Sequence, residues 1–447
     1  MDQLSNNTPM PELDIFITDL NGNQRGKRVP ASSANKFLEE GFKMPRSVMG
    51  LDFWGEDVEG TSCAFEAGYS DGLCQIVSPQ PMPIPWLDHE HYQMMAMMRQ
   101  LDGSYFAADP RQVLESVLQR YTAKGLTPVV AAELEFYLFD RASEQKNRPV
   151  RSALLPKTRF NQPNPYALQH LEGFRPILEA IRLACQLQGI PADSIISEFG
   201  EGQFEVNLNH VSDALLAADY AVLFKRIVHN VAYKYGHLAS FMAKPYGDDM
   251  GSGMHVHFSI LDREGKNIFS NGTATGSTAL LHAVGGILKA MQGSMLIFAP
   301  HLNSWRRLRP SNCAPVEANW GYENRTVSVR IPDSPDIARR IEHRVAGADA
   351  NPYLVIAAIL SAALYGMEQH LDPGAASTGN TYTSATAAKA LPTQWYEAIG
   401  ALRTSALMRE LLGDGFVDLF TALKQQELDK FSSRITDAEY ETYLGVV

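Results

Sequence analysis

Along Ala131-Ala132-Glu133-Leu134-Glu135-Phe136-Tyr137-Leu138 the acidic residues occupy alternate positions, and a strand sends alternate side chains to opposite faces. Glu133 and Glu135 therefore stand side by side, opposite Ala132, Leu134, Phe136 and Leu138. The pattern returns in residues 203–208, where Gln203, Glu205 and Asn207 share the polar face, and in residues 254–260, where His255, His257 and Ser259 do. Residues 326–331 put Arg330 on such a face, and residues 341–345 put Glu342 and Arg344 there. One such strand is ordinary in an antiparallel sheet with a solvated side. Five that carry Glu, His and Arg in place of Lys, Thr and Ser point to one shared chemical surface.

If the strands share a sheet, that surface gathers Glu133, Glu135, Glu205, Glu342 and His255, with Glu198 seven residues before Glu205. Carboxylates converging without cations raise one another's pKa and repel, so they imply bound metal. An oxygen-rich set with one imidazole suits Mg²⁺ or Mn²⁺, and two divalent ions would offset most of the negative charge. Arg307, Arg325, Arg330 and Arg344 fall within 38 residues, and guanidinium forks match carboxylates and phosphates. Metal-binding carboxylates beside arginines are the machinery of phosphoryl transfer. There is no Walker A motif, no GxGxxG and no kinase motif set. The residues by themselves read as a two-metal, nucleotide-using enzyme acting on an anionic substrate.

Other elements must position these strands. Residues 14–19, the Asn21-Gly22 turn and Gly26-Lys27-Arg28-Val29 read as a hairpin; Ser32 or Ser33 then starts a helix that Gly41 ends. After Pro81, Pro83 and Pro85, the Asp102-Gly103 turn and the Asp109-Pro110 helix start mark a boundary. We expect a small β-rich domain over 1–105 and a large α+β domain over 106–447, with helices such as 111–124 and 214–235 among the strands. The Ala/Ser/Thr-rich residues 375–390 read as an exposed loop.

Composition sets the outer limits. The 447 residues are 45% hydrophobic, and 39 Lys+Arg against 50 Asp+Glu give a formal charge of −11, which argues against nucleic acid as a partner. Four cysteines without a CxxC pair suit a reducing compartment. The longest uncharged apolar run, residues 353–367, is 15 residues against the roughly 20 a membrane span needs, so it reads as a buried helix. With no basic, apolar start either, the expectation is a cytoplasmic protein with no membrane partner.

Glu133-Leu134-Glu135-Phe136-Tyr137-Leu138-Phe139-Asp140, Gly251-Ser252-Gly253-Met254-His255-Val256-His257, Asn324-Arg325-Thr326-Val327-Ser328-Val329-Arg330-Ile331-Pro332 and Arg340-Ile341-Glu342-His343-Arg344 together resemble the glutamine synthetase family, and Asn351-Pro352-Tyr353-Leu354 agrees. The similarity runs from about Asp14 to the C-terminus. It implies a β-grasp domain before a catalytic domain whose antiparallel sheet lines the active site. By resemblance, Glu135, Glu198 and Glu205 hold one metal, and Glu133, His255 and Glu342 the other. His257, Ser259, Arg325 and Arg330 fall where the family holds ATP; Gly251, Arg307 and Arg344 fall where it holds glutamate, with Arg344, and Arg325 with it, at the transferring phosphoryl group. The implied assembly is a dodecamer of two hexameric rings with sites between subunits.

The departures bear on the second substrate. Ammonia-using members build their ammonium pocket from an Asp-Gly-Ser-Ser loop of a neighbour and the Glu of Gly-Tyr-Glu-Ala-Pro. Here the stretches read Arg46-Ser47-Val48-Met49 and Ser311-Asn312-Cys313-Ala314-Pro315, so both acids are absent and Cys313 stands for the Glu. Met250 likewise replaces an Asn that contacts glutamate. Thr18-Asp19-Leu20-Asn21-Gly22, Val129-Val130-Ala131, Phe241-Met242-Ala243-Lys244-Pro245-Tyr246 and Val345-Ala346-Gly347-Ala348-Asp349 look most like γ-glutamylpolyamine-forming members, which implies glutamate, ATP and a polyamine as substrates. A distal ammonium needs an anionic or aromatic partner, and Asp52, Trp54 and Glu56, with Asp57 and Glu59, are the candidates if their loop reaches a neighbour's site.

Other residues read as ordinary. Met94-Met95-Ala96-Met97-Met98 suits a packed helix, His89 and His91 suit a surface, and Cys313 suits a steric replacement rather than a reactive thiol. Tyr382 sits near where some family members are adenylylated, but its surroundings differ and that modification is not expected. Ammonia-dependent glutamine synthesis and a non-catalytic relative are the competing readings. The missing Glu disfavours the first, and the complete metal-ligand set disfavours the second.

Overall fold

The computed structural model describes residues 10–447 except 62, 65–67, 69, 79, 155–163, 310–313 and 384–388. The opening hairpin forms as expected: β1 (Glu12–Thr18) pairs antiparallel with β2 (Gln24–Pro30). The helix Ala34–Glu40 follows with Ser33 at its N-cap position, although the serine side chain makes no cap bond, and Gly41 ends it at φ +66°. β3 (Phe42–Pro45), β4 (Asp71–Ile76), β5 (Met82–Pro83) and β6 (His91–Arg99) complete a six-stranded sheet of order β2-β1-β6-β4-β3, with β5 beside β6.

The Met94–Met98 run is not a helix. It lies in β6, between β1 and β4, and is buried on both faces, so the alternation that would reveal a strand is absent. His91 is also corrected: it is 3% exposed, inside the sheet rather than on a surface.

The helix Pro110–Ala123 opens the next region. Asp109 caps it, accepting from the Arg111 and Gln112 amides at 2.9 and 3.1 Å, and proline at the first position loses no helical bond. β7 (Thr127–Asp140), β8 (Ala192–Ser197), β9 (Gln203–Leu208), β10 (His237–Ser240), β11 (Met254–Leu261), β12 (Glu317–Ala318), β13 (Trp320–Tyr322), β14 (Val329–Ile331), β15 (Ile341–His343) and β16 (Lys389–Ala390) follow. Eight of them form a sheet of order β13-β14-β15-β11-β7-β9-β8, with β10 also on β7, while β12 and β16 pair separately. The fold is α+β.

One face of the large sheet is apolar by alternation. Phe136 of β7 meets Phe204, Phe224 and Phe241 at centroid separations of 6.1, 6.1 and 5.6 Å, which seats the helix Ala214–Lys234 behind the sheet. The helix Pro352–Glu368 is buried for most of its length against Thr278–Phe298, a helix long and apolar enough to cross a membrane whose most apolar window is 67% buried inside the protein.

Two strands are shorter than the alternation suggests. Residues 326–328 lie outside β14 because the Asn324 side chain accepts from the Thr326 amide at 2.9 Å and folds that segment into a turn. Arg344 lies just past β15, its amide donating to the Ser328 carbonyl at 3.0 Å. Within the expected loop at 375–390, Thr381 is buried against Thr326 and Lys389–Ala390 pairs with Glu317–Ala318, while 384–388 lie outside the described residues.

Candidate active site

The register of the large sheet converts spacing into proximity. His255 pairs with Glu133, Glu133 with Asn207, Glu135 with Glu205, and Glu342 with both His257 and Arg330. Each of these side chains emerges on the face opposite Phe136 and Phe204. Two cavities open there. The smaller, about 480 Å³, is walled by Glu133, Glu135, Glu198, Glu205, His255, Glu342, Arg307, Arg325, Arg330, Arg344 and Gly251. The larger, about 1040 Å³, holds His257, Ser259 and Arg340, and Glu133 and Asn207 belong to both walls.

Glu133 is the meeting point. Its Oε2 lies 3.2 Å from His255 Nδ1 and its Oε1 2.9 Å from His257 Nε2, with Asn207 Nδ2 donating to Oε1 at 3.0 Å. Ligand atoms of Glu133, Glu205 and His255 lie within 4.8 Å of one another, as do those of Glu133, His257 and Glu342. Glu135 is fixed separately: Gly253 N donates to its Oε2 at 2.8 Å and Gln203 Nε2 at 3.2 Å. A Cβ on Gly251 would lie 2.6 Å from the Ala243 carbonyl oxygen and 2.8 Å from Arg307 Cγ, so the backbone there requires glycine, while one on Gly253 would lie 2.7 Å from Arg307 Nη2 and displace that guanidinium. Arg307 Nη1 then donates to the Val345 carbonyl at 2.8 Å.

The charges divide the site. Burial, and then the neighbouring Glu198, pushes Glu135 up to about 7. Burial followed by Glu133, Glu135 and Glu198 pushes Glu205 up to about 10. Glu342 behaves oppositely. Burial alone would raise it, but Arg344, His257, His255 and Arg330 outweigh that and hold it down to about 2. Arg330 Nη1 donates to Glu342 Oε2 at 2.7 Å, and Arg344 donates to Oε1. Glu133 is likewise held well below the usual carboxylate range by its two imidazoles, against the effect of burial. Buried carboxylates that must hold protons when nothing else neutralises them fit a divalent cation.

Some expected residues are elsewhere. Arg325 and Arg330 line the smaller cavity, apart from His257 and Ser259 in the larger. Asp52, Trp54 and Glu56 reach neither: Asp52 is bound by Lys430 and by Gln426 Nε2 at 2.9 Å, Trp54 packs on Phe431 at 5.1 Å, and Glu56 meets Lys430 at 2.6 Å. Within this chain the group ties its loop to the helix Asp414–Ser432. Cys313 lies outside the described residues.

Tyr166, Ile196 and Phe199 carry no signal in the sequence, and Arg340, Gln203, Asn207, Met250 and Tyr382 take places at the site that their sequence patterns alone do not assign. Arg340 donates from Nε to His257 Nδ1 at 3.2 Å, and the short motif containing Glu342 was its only signal. Gln203 and Asn207 are marked by the same alternation as Glu205. Tyr166, Ile196, Phe199 and Met250 also line the smaller cavity, with Phe199 43% exposed, as does Tyr382.

Three comparisons bear on this geometry. The family profile described as "Glutamine synthetase, catalytic domain" matches residues 107–443. The chain is 39% identical to the γ-glutamylputrescine synthetase PuuA of Escherichia coli (strain K12), over 97% of this chain and 91% of that protein. It is 31% identical to the glutamate–isopropylamine ligase of a Pseudomonas species, over 97% and 95%. Among solved structures, the GmaS/ADP complex superposes with a TM-score of 0.85 at 28% identity, covering 98% of this chain and 97% of that one.

Proposed function

Because the chain belongs to the glutamine synthetase family, we propose that it joins the γ-carboxylate of glutamate to one amine of a polyamine such as putrescine, spermidine or spermine, using ATP. The observation that carries the choice of amine is that Tyr166, Ile196, Phe199 and Met250 line the same cavity as the carboxylates and make part of its lining apolar. Ammonium has no apolar part for such a lining, whereas an alkylamine has methylenes to bury and a distal cation to set against aromatic faces. The similarity to proteins named for putrescine and isopropylamine ligation supports an alkylamine over ammonium, and the first of them supports a polyamine.

In this reading the larger cavity takes ATP through His257 and Ser259, its phosphates reaching Arg325 and Arg330 in the smaller cavity, which takes glutamate through Gly251, Arg307 and Arg344. Glu135, Glu198 and Glu205 would hold one divalent ion, and Glu133, His255 and Glu342 a second, of Mg²⁺ or Mn²⁺. When bound, these ions neutralise phosphate oxygens during phosphoryl transfer. The glutamate γ-carboxylate oxygen attacks the γ-phosphorus, the bond to the bridging oxygen of ADP breaks, and Arg344 and Arg325 oppose the charge on the moving group. The neutral amine nitrogen then attacks the γ-carbonyl carbon, inorganic phosphate leaves with the electron pair, and the amine proton is lost. The same reading takes 1–105 as the N-terminal domain and 106–447 as the catalytic one, in a cytoplasmic dodecamer of two hexameric rings.

The test is phosphate release with ATP, Mg²⁺ and glutamate against putrescine, cadaverine, spermidine, spermine, monoamines and ammonium. Polyamines should drive turnover at concentrations where ammonium does not. Ammonium matching the diamines would favour glutamine synthesis instead.

A further inference from the structure

The parallel register of β1 and β6 sets Glu12 directly opposite His91, and His89 lies two residues before it on the connection from β5. Three donor atoms meet there. Glu12 Oε2 is 3.3 Å from His89 Nε2 and 3.4 Å from His91 Nδ1, and those two ring nitrogens are 3.5 Å apart. The three separations are nearly equal. A tetrahedral ion that binds nitrogen and oxygen at roughly 2.0–2.1 Å spaces its ligands by roughly 3.3 Å, the edge of that tetrahedron.

The surroundings favour a metal as well. The other ring nitrogen of His91, Nε2, is buried 3.0 Å from Asp14 Oδ1 without an aligned hydrogen bond, and turning of the ring would make that carboxylate the partner that holds a ligating imidazole. Asp14 is itself anchored by Arg28 Nε at 2.8 Å and Arg226 Nη2 at 3.0 Å. The His91 side chain is fully buried, whereas those of His89 and Glu12 are 36% and 39% exposed, so solvent reaches the open side where a fourth ligand would bind. Arg28 Nη1 lies 3.8 Å from Glu12 Oε2.

We propose that Glu12, His89 and His91 form a tripod for one Zn²⁺-class ion, Zn²⁺ or Co²⁺, that ties β1 to the connection before β6. Two imidazoles with one carboxylate select a borderline ion over Mg²⁺, so this site and the oxygen-rich cavity would take different metals.

Chelator-treated protein is placed in excess Mg²⁺ to fill the oxygen-rich positions, loaded with Zn²⁺, passed through a desalting column and analysed for metal per chain. Wild type should retain one Zn²⁺ more per chain than His89→Ala or Glu12→Gln, and Zn²⁺ should raise the melting temperature of wild type but of neither variant. With Co²⁺ as the probe, wild type should show the intense visible band of a tetrahedral site and His89→Ala should lack it. Because His89 and Glu12 lie outside the active-site cavities, both variants should keep amine-dependent phosphate release in Mg²⁺. Equal Zn²⁺ retention and equal melting shifts in wild type and both variants would overturn the proposal.

Discussion

Glu135 and Glu205 are direct register partners on adjacent antiparallel strands, and both line one cavity with carboxyls that burial and neighbouring carboxylates raise to about 7 and about 10. Like charges facing across a strand pair destabilise a sheet, so this part of the site is assembled against the preference of the fold.

The first prediction follows from that repulsion. Chelation should lower the melting temperature and Mg²⁺ or Mn²⁺ should restore it, since a ligand bound only by the folded state stabilises it. Glu205→Gln should melt higher than wild type in chelator yet gain less from Mg²⁺, with ligase activity lost. An identical Mg²⁺ response in variant and wild type would remove Glu205 from the ion site.

Glu342 is 1% exposed and neutralises both Arg330 and Arg344. Glu342→Gln should leave buried guanidinium charge under-compensated, at about 3–5 kcal/mol in a urea unfolding curve, and abolish turnover with every amine. A variant with the wild-type midpoint and substantial turnover would contradict both parts.

Phe199 should act on the amine alone. Phe199→Ala removes an aromatic face worth about 1–2 kcal/mol to an alkylammonium, so KM for putrescine should rise about tenfold while KM for glutamate stays near wild type. Equal changes in both constants would mean that the residue shapes the cavity in general.

Lys424 and Glu427 form a pair with fully buried side chains, Nζ to Oε2 at 2.9 Å, on which Asn21 of the opening turn closes with Nδ2 2.8 Å from Glu427 Oε1. Lys424→Met should destabilise by about 3 kcal/mol or more by leaving a buried carboxylate uncompensated, and the added change Glu427→Leu should recover much of it. If the double variant is no more stable than the single one, the cost lies in packing.

How much of this was legible depends on the range of the interaction that carries it. Glu133, Glu135, Glu205, His255, Glu342 and their arginines announce themselves because period-two alternation is local, and the strands that carry them have one apolar face. The same rule fails for Met94–Met98, where both faces are buried and alternation vanishes. The Glu12–His91 meeting is invisible to local pattern, since a parallel register joins positions 79 residues apart. Asp52 and Trp54 show the same limit: within this chain a helix near the C-terminus holds both, a contact across most of the sequence that no local pattern indicates. The apolar lining residues come from separate places, Ile196 on β8, Phe199 just past it and Tyr166 before the helix Leu168–Gly173, so no local repeat marks them as neighbours.

The central claim is the identity of the amine, and competition measures it most directly. With ATP, Mg²⁺ and glutamate, putrescine and ammonium are supplied together at equal concentration and both products are quantified by mass spectrometry. γ-Glutamylputrescine should be the dominant product, with glutamine below about a tenth of it, a preference of about 1.4 kcal/mol or more. Glutamine as the main product would contradict the account.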